Sequence, residues 1–265
     1  MVLESFRLDG KVAVVTGGAR TLGRDMAEAL AEAGSHLVIT SRDLARAEST
    51  AAEIARNFGV EVLPLPLDVR EHGQVAEMAA RAAAWKGQVD ILINNAGGGS
   101  GKGPCGLFDR HPEDVIGLIS TNLIGTLFCC QELGRVMAQQ GYGKIVNIAS
   151  MAGLVGRDRR MYERSGLNQQ PVDYAAAKAG VIGVTRDLAA VLAPYGVYVN
   201  SISPGGFERG QPEAFVNAYS DRTPLGRMGR DGVDIKAAAL FLASSASDYV
   251  TGHNLVVDGG FSIWQ

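Results

Sequence analysis

Short runs rich in valine and isoleucine alternate along the whole chain with longer alanine-rich amphipathic runs, and this alternation leaves few folds open. Seven segments read as strands: 11–16, 36–41, 60–69, 90–95, 143–150, 197–203 and 254–260, the third broken late by Pro64 and Pro66. Helices are expected near 22–32, 43–58, 71–85, 112–140 and 172–193. Continuous apolar strands separated by helices build a parallel sheet covered on both faces. The expectation is therefore an α/β chain with a doubly wound parallel sheet of about seven strands and helices on both faces. No composition shift marks a second domain anywhere in 1–265.

Composition narrows the function. Glycine supplies 34 of the 265 residues, well above the usual share of about 7%. No Gly-X-Y period runs through the chain, so a collagen-like fibre is excluded. A formal charge of −3 argues against a general nucleic-acid binder. The most apolar stretch, 115–130, is interrupted by Ser120, Thr121, Asn122 and Thr126, so no membrane span is expected. The first residues, with Glu4 and Asp9, do not read as a signal peptide. Cys105, Cys129 and Cys130 suit neither a disulfide framework nor a zinc site. A cytoplasmic protein is expected.

The glycines cluster after strands, where open α/β sheets bind ligands. The first strand ends in Thr16-Gly17-Gly18-Ala19-Arg20-Thr21-Leu22-Gly23 and runs straight into a helix. Glycine lets backbone approach a pyrophosphate, and a helix N-terminus offers free N–H groups. A Rossmann-like dinucleotide site follows, although such a turn can also be purely structural. The second strand ends in Ser41-Arg42, not in a carboxylate. Arg42 there, with Arg20, can pair with the 2′-phosphate of NADP, so NADP(H) is favoured over NAD(H). Asp43 also suits a helix N-cap.

Tyr174 and Lys178 lie four positions apart on a predicted helix, hence on one face. A phenol titrates near 10, and a neighbouring ammonium is expected to bring it toward working pH. Ser150, ending the fifth strand, can donate to a substrate oxygen as charge develops there. With Asn94-Asn95-Ala96-Gly97 after the fourth strand and Pro204-Gly205 after the sixth, these segments resemble the short-chain dehydrogenase/reductase family from about residue 8 to 260.

The resemblance implies roles for particular residues. Tyr174 would transfer the proton, Lys178 would support it and hold the nicotinamide ribose, and Ser150 would orient the carbonyl or alcohol. Asn122 would help hold a water-linked proton path. Asp68 and Val69 would flank adenine, while Asn95, Ala96, Gly97, Pro204 and Gly205 would line the cofactor beside Gly17, Leu22 and Gly23. The implied activity interconverts a secondary alcohol and a ketone, on a sugar acid or polyol as in gluconate 5-dehydrogenases. A 3-oxoacyl or general carbonyl reductase and a non-catalytic cofactor sensor are the alternatives. The two long helices would join copies into a homodimer or homotetramer.

Two departures from the family pattern stand out. Thr21 occupies the position of the usual middle glycine of the first turn. Ser150 and Tyr174 are 24 positions apart, which implies an insertion near 156–171. Its Arg157, Arg159 and Arg160 either form a solvated charged loop or clamp an acidic group on the substrate. The segment 207–229, with Glu208, is expected to form a substrate lid.

Overall fold

A computed structural model of the chain describes residues 1–99 and 104–264, so part of the glycine-rich loop after the fourth strand lies outside the described residues. The strands are β1 (Val12–Val15), β2 (His36–Ser41), β3 (Val62–Pro66), β4 (Ile91–Asn94), β5 (Gly143–Ile148), β6 (Val197–Pro204), β7 (Phe207–Glu208), β8 (Gly229–Arg230) and β9 (Asn254–Val257). Seven of them form one parallel sheet in the order β3-β2-β1-β4-β5-β6-β9, while β7 and β8 pair separately. The direction of winding reverses between β1 and β4. A crevice therefore opens at the carboxyl ends of these strands.

The helices are α1 (Thr21–Glu32), α2 (Leu44–Phe58), α3 (His72–Lys86), α4 (Pro112–Ile119), α5 (Gly125–Gln140), α6 (Arg160–Arg164), α7 (Val172–Leu192), α8 (Glu213–Ser220) and α9 (Lys236–Ala243). Alternate residues of each strand serve opposite faces. Ala13 and Val15 join Met26, Leu30, Ile54 and Leu242 in a core under α1, α2 and α9. Val12 and Val14 join Val75, Met78, Leu133 and Met137 in a second core under α3 and α5. Each face thus buries an apolar layer, as the runs of hydrophobic residues required.

Three local readings need correction. Pro64 and Pro66 lie inside β3 and do not break it, because β3 is the sheet edge and its missing N–H groups cost no ladder bond there. The expected helix over 112–140 is one helical run with a π turn at Ser120–Ile124 in its middle. That run is long and apolar enough to cross a membrane by length and composition alone; here it packs against α3, α7 and the sheet. Finally, α9 escaped the periodicity reading, because its sequence KAAALFLA is apolar nearly all round and shows little amphipathic contrast.

Candidate active site

The crevice is a cleft of about 680 Å³ running from α2 to α8. Its floor is the turn after β1. Thr16 Oγ accepts from the N–H groups of Asn95 and Ala96, each at 3.0 Å. The Asn95 amide donates back to the carbonyls of Thr16 and Gly17, at 3.1 and 3.2 Å. The loops after β1 and β4 are thereby tied into one surface. A Cβ at Gly23 would stand 2.3 Å from the Gly17 oxygen, so Gly23 serves to pack this turn and does not itself line the cleft. Thr21 and Leu22, in the cleft wall, open the first turn of α1, whose N–H groups have no intrahelical partner. Among the described residues Thr21 is the one non-glycine residue with positive φ, at +48°.

At the far end Arg20, Arg42 and Arg46 all line the cleft and are exposed. Arg46 went unremarked in the sequence, because only the helical turn of α2 brings it beside Arg42. Asp43 does cap α2, accepting from Arg46 N at 3.1 Å. Asp68 and Val69 form the adjoining wall. Arg70 grips the Asp68 carboxylate at 2.6 Å and, with Arg42 nearby, holds it below the usual carboxylate range. Cradle, helix terminus and cation cluster fit a dinucleotide with its phosphates on the α1 turn.

Ser41, Asn95, Ala96, Gly97, Pro204 and Gly205 line the same cleft, as do Ser150, Tyr174 and Lys178. Asn122 stands behind it, 1% exposed in the π turn. Its amide oxygen accepts from Gly98 N at 3.1 Å, and its nitrogen donates to the carbonyls of Gly98 (3.1 Å) and Leu118 (3.0 Å). Asn122 therefore pins the loop after β4 from both sides. A side chain at Gly97 would collide with it, since a Cβ there would lie 2.4 Å from the Asn122 oxygen.

The expected electrostatics of the tyrosine need correcting. Lys178 Nζ donates to the Ile148 carbonyl at 2.7 Å and lies 5.8 Å from the Tyr174 ring centroid. Burial pushes Lys178 down to about 8, so it stays mostly charged at neutral pH and loses its charge above about pH 8. Burial raises the Tyr174 phenol, and the groups that oppose the rise are the Ser150 hydroxyl and the Arg157 guanidinium.

The insertion folds over the substrate end. Of its arginines only Arg157 lines the cleft. Arg159 is spent on Gln169 and on the Gln170 carbonyl, at 2.9 and 2.5 Å. Arg160 is exposed and chelates Asp158 at 2.7 Å. Neither lines the cleft: Arg159 is tied to 169–170 just before α6, and Arg160 is held by Asp158 at its start. Glu208 is likewise exposed and off the wall, whereas Arg209 and Gln211 beside it line the cleft. Asp158 also pairs with Arg222 just beyond α8, and Tyr162 packs on Phe215 with centroids 5.1 Å apart. These contacts join the insertion to the 207–229 segment. Met151, Met161, Phe215, Tyr219 and Met228 form an apolar cluster around Tyr174. Asn168 and Gln170 add polar groups to the wall; sequence reading missed them, since no motif surrounds them.

The chain's likenesses are extensive. A family profile described as enoyl-(acyl carrier protein) reductase matches residues 17–262. A 3-oxoacyl-[acyl-carrier-protein] reductase of Aquifex aeolicus is 36% identical over 259 residues, covering 96% of this chain and 98% of that protein. A galactitol 2-dehydrogenase of Rhizobium johnstonii is 36% identical over 268 residues, covering 98% of each. A gluconate 5-dehydrogenase of Burkholderia cenocepacia, solved in complex with NADP and tartrate, superposes with a TM-score of 0.88 at 36% identity, covering 99% of both chains. Likeness in sequence and backbone over nearly the full length leaves one conclusion: the chain belongs to the short-chain dehydrogenase/reductase family and is an NAD(P)-dependent oxidoreductase acting between CH–OH and C=O.

Proposed function

We propose that the chain interconverts a secondary alcohol and a ketone with NADP(H), on a hydroxylated substrate of the sugar-acid or polyol class. The observation that carries this reading is one cleft with three guanidiniums at one end and Ser150, Tyr174 and Lys178 at the other. When bound, the nicotinamide supplies or accepts the hydride. Arg20, Arg42 and Arg46 would hold the extra phosphate of NADP, and the α1 turn would receive the pyrophosphate. Ser150 holds the substrate oxygen while Tyr174 gives it a proton in reduction and takes one in oxidation. Lys178, fixed on the Ile148 carbonyl, would hold the nicotinamide ribose when the cofactor is bound.

Polar wall groups from Asn168, Gln170 and Gln211 suit several hydroxyls on the substrate. The galactitol and gluconate enzymes among its relatives support that choice. The apolar cluster of Met151, Phe215 and Met228 in the same wall favours a second reading, a 3-oxoacyl or general carbonyl reductase. We further propose that copies associate through α4, α5 and α7 into a homodimer or homotetramer.

Turnover of sugar acids, polyols, 3-oxoacyl thioesters and simple ketones with each cofactor tests the assignment. NADP(H) should be preferred by at least about tenfold. Tyr174→Phe should lower turnover by at least about a hundredfold while leaving NADPH binding, followed by fluorescence, within about twofold. Full turnover in that variant would mean that another residue carries the proton.

A further inference from the structure

Arg157 comes from the insertion and reaches the catalytic tyrosine. Its Cζ lies 6.0 Å from the Tyr174 ring centroid. The guanidinium is held in place by its own surroundings: Nη1 donates to Gln170 Oε1 at 2.6 Å, and Nη2 donates to the carbonyls of Gln170 and Pro171 at 3.1 and 3.2 Å. Pro171 is the residue that precedes α7, and Tyr174 N donates to its carbonyl at 3.3 Å. The same carbonyl therefore positions both the cation and the helix turn that carries the phenol. Arg157 makes no ion pair with a carboxylate among the described residues, so its charge is left uncompensated at the cleft wall.

We propose that Arg157 is a positioning residue for proton transfer, a carbonyl-locked fixed charge that stabilises the Tyr174 phenolate formed when the phenol gives up its proton. The proposal rests on Tyr174 being the proton donor, as argued above. The groups facing Tyr174 are few. Ser150 faces it from the end of β5, Tyr162 from α6, Arg157 from the insertion and Lys178 from its own helix. Asp173, its chain neighbour, is turned to Arg110 at 3.0 Å. Burial, and then the like charge of Arg159 beside it, lower the Arg157 guanidinium from its ordinary value, while Tyr162 and Tyr174 oppose the fall. Guanidinium stays protonated throughout the working range, whereas a buried ammonium does not. Arg157 and Ser150 both pull the phenol down against burial. Lys178, pushed down to about 8, loses its charge above that pH. A fixed cation therefore extends phenolate stabilisation to higher pH than the lysine alone can.

The full-length protein labelled with 13C at the tyrosine Cζ provides the test, with the Tyr174 resonance assigned by its loss in Tyr174→Phe. Arg157→Gln should raise the titration of Tyr174 by about one pH unit. It should move the apparent pKa of kcat/KM by the same amount and in the same direction. Arg157→Lys should restore most of both shifts. Arg164→Gln removes the same charge from an exposed position on α6 and should move neither. A Tyr174 resonance that titrates identically in Arg157→Gln and wild type would overturn the proposal. So would equal shifts in Arg157→Gln and Arg157→Lys, which would mark a packing role instead of a charge. The NMR titration needs no turnover. A wild-type protein inactive on every carbonyl but showing the Arg157 shift would defeat the proposed reaction, and with it the proton-transfer role, while leaving only the charge coupling of Arg157 to Tyr174.

Discussion

Thr21 carries a β-branched side chain at φ +48°, a conformation that costs an L-residue about 1–2 kcal/mol. It sits in the cleft wall, at the first turn of α1, where the proposed reading would place a pyrophosphate. Strain of this kind persists only where the surrounding structure enforces it. Here Thr16, Thr40 and Asn95 hold the turn through hydrogen bonds on both sides. Thr21→Gly should therefore stabilise the protein by about 1 kcal/mol, the relief being partly offset by the greater unfolded-state freedom of glycine. A rise of about 2–4 °C in the melting temperature would show it. A fall would mean that the threonine side chain makes a compensating contact. The identity of this residue stood out in the sequence, but its backbone angle did not, since φ depends on how the turn is tied to β2 and β4.

Between elements, the insertion and the lid act together. Asp158, at the start of the insertion, takes both Arg160 and Arg222, and those partners hold its carboxyl well below the usual carboxylate range. A carboxyl lowered in the folded state contributes above its unfolded pKa, near 4, and loses that contribution only as pH falls through the lowered value. The clasp is thus complete across the neutral range and opens only in strong acid. Asp158→Asn should raise KM a few-fold at pH 7 with kcat little changed, and should speed hydrogen exchange in 207–229. Unchanged exchange would show that the aromatic contact of Tyr162 with Phe215 suffices alone.

The π turn is the other device at this scale. It turns Asn122 inward to the loop after β4 and interrupts a helix that sequence periodicity shows as continuous. An extra residue in a helix changes which face its neighbours present. No composition signal marks that change, so the asparagine was visible as a motif but its hydrogen bonds were not.

For the molecule as a whole, two helical stretches, the 112–140 run and α7, expose apolar and small residues away from the core. Ile116, Ile124 and Leu127 on one run, and Val172 and Val191 on α7, are exposed. Ala176, Ala179 and Gly183 add a smooth exposed stripe on α7. Paired copies would bury these surfaces. Sedimentation should show a dimer or tetramer at micromolar concentration, and Leu127→Glu should shift the population toward monomer by at least about tenfold in dissociation constant. A wild-type monomer would remove the interface.

The alternation of apolar strands and alanine-rich helices determined the doubly wound sheet, because each run's periodicity states which faces must be buried. It also placed the motifs correctly: a residue ending a parallel strand emerges at the carboxyl edge whatever the loops do. Gly17, Asn95 and Ser150, each just after a strand, therefore line one cleft, and Tyr174 and Lys178 reach it from α7. Tertiary structure alone decided which arginine of the insertion faces that cleft, and how the buried pair Tyr174 and Lys178 titrates. Charge, burial and hydrogen bonding in a site depend on groups far apart in the chain. Arg157, Ser150 and Tyr174 meet only after the insertion folds back over α7, and no local pattern in the sequence encodes that meeting.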